Sequence, residues 1–143
     1  MLKKKLRSSF QKDAAKDSMS LLLEYCKDIG EWADSWEIDE GDIKIGQGIV
    51  KQFKPFIISL IEKGLSKKTI KLYRVYLWVL GGELIRQVNE DEDERQLTVR
   101  ELILKHVDGY GGPYWCHANN EADEEKYNSV CRKFFRFMTE KSV

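Results

Sequence analysis

The chain has 143 residues, 42% of them apolar, which suits a single domain with a hydrophobic core and argues against a disordered tail. Basic and acidic residues balance at 24 each, so bulk charge cannot coat nucleic acid, and any such binding must come from a local patch. Cys26, Cys116 and Cys131 are odd in number with no metal-like spacing, no secretory signal is recognisable, and no uncharged apolar run approaches the ~20 residues of a membrane span. A reduced cytoplasm is therefore expected, with no membrane partner; the basic start MLKKKLR reads as a solvated terminus.

From Asp17 the apolar residues Met19, Leu22, Leu23, Cys26, Ile29, Ala33 and Trp36 fall three and four apart, predicting a first helix from about Ser18 to Trp36. The stretch EIDEGDIKIGQG breaks that period with three glycines and reads as a loop. Ile49, Val50, Phe53, Phe56, Ile57, Leu60 and Ile61 resume helical spacing. Pro55 is expected to kink that helix or open a new one, and Gly64 to end it as a left-handed cap. Ser66 then N-caps a long helix with the stripe Ile70, Tyr73, Leu77, Leu80, Leu84 and Val88. The acidic run EDEDE at 90–94 reads as a solvated connection. Thr98 and Glu101 form a capping box ahead of a short helix with Val99, Leu102, Ile103 and Val107. Gly109, Gly111, Gly112 and Pro113 stop it, YWCHANN is loop-like, and a last helix carries Tyr127, Val130, Cys131, Phe134, Phe137 and Met138. With no sustained alternation of period two, the expected fold is all-α: a compact bundle of about five helices, with residues 1–46 as a helix and acidic loop packed on a helical domain of residues 47–143.

Nucleophilic catalysis requires a nucleophile with an oriented base beside it, and His106 and His117 are the only histidines; nucleotide-binding loops and the serine elbow motif are absent. No catalytic residue and no cofactor is assigned, and the chain is not expected to be an enzyme. Cys116, His117, His106 and Cys131 lack the paired two-to-four spacing of zinc ligands, so they are read as loop and core residues. The distribution of charge is more informative. Residues 24–42 hold eight acids against one base, a balance of −7, whereas residues 51–75 hold seven bases against one acid, a balance of +6. On the long helix, Lys67, Lys71 and Arg74 share a face, Lys68 lies beside them, and the Ser66 end offers free amides for a phosphate. Lys126, Arg132, Lys133 and Arg136 give the last helix a second basic edge. Two basic helices on one domain can straddle a duplex. The aromatic residues of the last helix read as core, except Phe135, which lies off the stripe as a candidate exposed anchor; Trp32, Trp36, Trp78 and Trp115 are open to either core or partner surface.

Phe56 and Leu60, the junction Gly64-Leu65-Ser66, then Thr69, Tyr73 and Leu77, and finally Arg132, Phe134, Phe135 and Phe137 follow an order of features that resembles the SAM-like core-binding domain of tyrosine recombinases and phage integrases. The resemblance spans roughly residues 47–140 and implies a four-helix domain clamping one side of double-stranded DNA through its second and fourth helices. The chain departs from that pattern at Gly81-Gly82, in the acidic connection at 90–94 and in its acidic N-terminal helix. Its 143 residues leave no room for the catalytic domain of recombinases, so DNA binding without strand cleavage is the leading expectation, in the role of an accessory factor of a mobile element. The rival reading is a helical protein-interaction module in which the acidic first helix and its tryptophans engage a basic partner or a second copy. A third centres an enzyme or metal site on Cys116, His117 and His106.

Overall fold

A computed structural model describes residues 19–140, and among these the protein is all-α, without a strand. Residues 19–25 form α1. A 3-10 turn at Ile29–Glu31 leads into the short α2, Trp32–Ser35, followed by α3, Asp42–Glu62, and α4, Lys67–Glu90. A second 3-10 turn, Glu92–Gln96, precedes α5, Val99–His106, and α6 is Glu121–Glu140. The basic start and the Ser18 end of the first predicted helix lie outside the described residues.

The single helix expected up to Trp36 is broken after Tyr25. In an unbroken helix the Tyr25 carbonyl would accept from the Ile29 amide, but Arg74 of α4 donates to it at 3.1 Å and the Ile29 amide turns to Cys26 O instead. That bend carries Ile29, Trp32 and Trp36 into the core. The expected glycine loop is also partly helix, since α3 begins at Asp42 and runs through Gly46 and Gly48. Asp42 Oδ2 accepts from the amides of Ile38 and Asp39, which anchors the chain ahead of α3, and Gly46 lies where a Cβ would stand only 3.0 Å from Ala33. Glycine here lets two helices meet rather than ending one. The boundary drawn between residues 46 and 47 therefore falls inside a helix. α3 also continues through Pro55, which sits on its exposed side.

Ends and caps follow their residues. Gly64, at φ 78°, ends α3 with the Leu65 amide reaching back to Leu60 O and the Gly64 amide to Ile61 O. Ser66 accepts from the Thr69 amide at 3.2 Å, and Thr98 and Glu101 make both bonds of the capping box. The core forms where α3, α4 and α6 meet: Phe134 packs against Phe53 and Phe56 with ring centres 5.1 and 5.4 Å apart, and Trp32 reaches Phe53 from the N-terminal side. The acidic connection is not wholly solvated. Glu94 is only 4% exposed, paired with Lys105 Nζ at 2.8 Å and in contact with His106 Nε2 at 2.9 Å, so two side chains of α5 offset its burial.

Candidate functional site

α4 and α6 pack side by side, tied by the Tyr76 hydroxyl, which donates to Asp123 Oδ1 at 2.6 Å. Burial together with Asp123 pushes the Tyr76 phenol up to about 12, so it stays a donor at neutral pH. Two hollows lie along this seam. In one, of about 150 Å³, Thr69, Leu72 and Tyr73 of α4 face Lys126 and Lys133 of α6. The other, of about 300 Å³, lies at the end of the seam between Lys63, Tyr73, Lys133 and Arg136, with Phe56 and Phe137 beneath and Glu140 as its acidic member. Lys133 belongs to both, its ammonium 5.4 Å from the centre of the Tyr73 ring.

The predicted basic residues divide by location. Lys126 and Lys133 line the smaller hollow, Lys133 and Arg136 the larger, and Lys63 at the end of α3 adds a further cation to the larger. Lys68 is exposed four residues before Leu72, hence on the seam side of α4. Ser66 opens that helix, and its first-turn amides at Lys67 and Lys68 precede any intrahelical carbonyl. The face of Lys67, Lys71 and Arg74 points elsewhere, toward the N-terminal segment. Lys67 Nζ lies 5.4 Å from the Tyr25 ring centre, and Arg74 binds Tyr25 O and pairs with Asp28 at 3.7 Å. Lys71 is exposed on that flank. Arg132 bonds to Glu125 at 2.6 Å and to Tyr110 O at 3.3 Å, so it too is engaged within the chain. Phe135 is half-buried against the core rather than an exposed anchor; the exposed apolar side chains of α4 are Leu72, Val75 and Trp78, at 44%, 45% and 44%.

The residues considered for metal or enzyme chemistry are dispersed. His106 bonds to Glu94, whereas Cys116 and His117 lie against Arg86. Cys131 is buried beside Tyr127, and burial raises its thiol to about 12. Among the described residues no three histidine, cysteine, aspartate or glutamate side chains gather to hold a metal, and no helix is long and apolar enough to cross a membrane. A third hollow, between α2, α4 and the loop before α6, was not foreseen; Trp36, Trp78 and Trp115 line it with Glu83. The adjacent Gly81-Gly82 inside a long helix was the available sign of it, because a Cβ at Gly81 would overlap the Trp36 ring.

No protein-family model, curated protein or solved structure matches this chain.

Proposed function

We propose that the protein is non-catalytic and binds double-stranded DNA along the α4–α6 seam, in the way its resemblance to an integrase core-binding domain implies. The observation that carries this reading is the shared position of Lys133 in both seam hollows, which unites Lys63, Lys126 and Arg136 into one basic surface next to the Ser66 end of α4. Lys126, Lys133 and Arg136 of α6, with Lys63 at the end of α3, can contact successive phosphates, while the α4 N-terminus adds backbone donors. Arg74 and Arg132 act as internal braces in this reading.

A salt titration of duplex binding tests it. The logarithm of affinity should fall steeply with the logarithm of salt concentration, and Lys126→Ala, Lys133→Ala and Arg136→Ala should each lower that slope by about one. Arg74→Ala should leave the slope unchanged. Absence of salt-sensitive duplex binding by the wild-type protein at low ionic strength would sink the proposal.

One observation favours a second reading, the protein-interaction module: Leu72, Val75 and Trp78 expose apolar surface along α4. In that case Val75→Ser abolishes capture of a partner protein or of a second copy and leaves any DNA slope intact.

A further inference from the structure

The tryptophan-lined hollow has a chemistry that DNA binding does not use. It measures about 430 Å³, within the range of roughly 300–1,000 Å³ typical of small-molecule sites. Trp36 lines it from just past α2, Trp78 from α4 and Trp115 from the loop before α6, with Gly82 of α4 leaving space on one side. The rings are held in position beforehand. Trp36 Nε1 donates to Trp78 O at 3.0 Å, and Trp78 Nε1 donates to Ser35 Oγ at 3.0 Å. Trp115 packs against Tyr76 and Tyr127, with ring centres 6.0 and 5.5 Å away.

Among these rings lies a carboxylate that the protein itself serves poorly. Glu83 is only 5% exposed and lines the hollow, yet its partner, Arg86 Nη1, stands 3.7 Å away, beyond hydrogen-bond distance. Arg86 spends its donors elsewhere: Nη1 reaches Cys116 Sγ at 3.1 Å and Nη2 lies 3.4 Å from His117 Nε2. No hydrogen bond from another side chain or amide reaches the Glu83 carboxylate among the described residues. A carboxylate buried to this degree normally has donors of its own. Burial accordingly raises the Glu83 carboxyl above the usual range, in spite of Arg86 and His117, and Glu90 adds to the effect.

Indole faces attract cations, most of all alkylated ammonium groups, whose methyls also gain from apolar contact. A buried carboxylate adds the matching negative charge, and Arg86 on the same hollow supplies a positive group for an anionic end. We propose that this hollow binds a betaine-type zwitterion, with its N-methyl groups against the indoles, its ammonium facing Glu83 and its carboxylate meeting Arg86.

The test titrates the full chain with glycine betaine, following tryptophan fluorescence and calorimetric heat. Two further ligands serve as comparisons: 3,3-dimethylbutanoate, the uncharged-carbon isostere of the ammonium, and choline, which lacks the carboxylate. Betaine should bind about tenfold more tightly than either, a ratio matching one well-placed charge contact. Glu83→Gln should cost betaine about tenfold and leave 3,3-dimethylbutanoate unweakened. Arg86→Gln should remove the preference of betaine over choline. The three-ligand comparison needs only wild-type protein, so a variant that fails to fold does not remove the test. No binding of betaine at about 10 mM, or equal binding of the isostere or of choline, overturns the assignment.

Discussion

Asp42 has no exposed surface and holds three segments at once. Its Oδ2 accepts from the amides of Ile38 and Asp39 and from Asn89 Nδ2, and Arg95 Nη2 stands 2.8 Å from its Oδ1. Burial alone would raise this carboxyl, but the Asn89, Asp39, Ile38 and Arg95 donors outweigh it and hold it below the ordinary carboxylate range. A folded-state value below the unfolded one means that the stabilisation is full above about pH 4 and is lost as pH falls through the depressed value. Replacing Asp42 by asparagine should therefore cost about 3 kcal/mol at pH 7, the lower end of the range for breaking a buried ion pair, because Arg95 keeps some contact with water. Denaturant titrations should show the gap between wild type and variant closing below about pH 4; a gap that stays constant in acid would mean the charge of Asp42 contributes nothing. Neither Asp42 nor Glu94 was legible as a buried acid in the sequence. Each sits in an acidic run that looks solvated, and the partners that make burial tolerable, Arg95 for one and Lys105 with His106 for the other, lie in later segments.

At the scale of elements, what could be read in advance was local. The caps at Ser66 and Thr98, the Gly64 stop and the apolar stripes of α3, α4 and α6 depend on residues within a few positions of each other, and they match the structure. The errors came where distant packing decided. Gly46 and Gly48, taken as breakers, lie inside α3 where Ala33 and Val99 come close, and the first helix bends because an arginine from α4 takes one of its carbonyls. The same reasoning separates two neighbouring glycines of α4. Gly81→Ala should destabilise by about 2 kcal/mol, since overlap with the buried Trp36 ring exceeds the gain in helix propensity of about 1 kcal/mol. A Cβ at Gly82 would approach Trp36 Cδ1 at 3.4 Å, an ordinary contact, so Gly82→Ala should be neutral or stabilise by up to about 1 kcal/mol. Thermal unfolding of the two variants checks the contrast, and equal effects would remove Trp36 as the reason for Gly81. Of the candidate binding surface, the basic residues of α6 were legible as an edge, but which flank of α4 they would meet was not. Spacing assigns lysines to a helix face, whereas the neighbour across that face comes from the fold.

Among the described residues the N-terminal segment shares one core with α3, α4 and α6. Leu22, Cys26, Ile29, Trp32 and Trp36 are buried in the same cluster as Phe53, Leu77 and Phe134. Full burial of a large apolar side chain stabilises by about 1.5–3 kcal/mol, and a domain's net stability is only about 5–15 kcal/mol, so the loss of five such residues exceeds what the remainder can spare. A fragment of residues 47–143 should accordingly show no cooperative thermal transition by circular dichroism, whereas the full chain shows a single one. A cooperatively folding fragment would mean that these N-terminal side chains are not needed for the core. The opposed charges are neighbours in the fold, Asp28 beside Arg74, and part of the basic character of α4 is spent on this internal contact.

The edge-on and tilted packing of Phe134 against Phe53 and Phe56 also sets an order of events during synthesis. α3 leaves the ribosome before α6, which carries the ring that covers its two phenylalanines. Until α6 emerges, those rings have no native cover on that side, and the nascent chain carries apolar surface through the whole elongation of α4 and α5. Stalled chains ending before residue 121 should be held by chaperones, and release should coincide with burial of the aromatic centre once α6 has emerged.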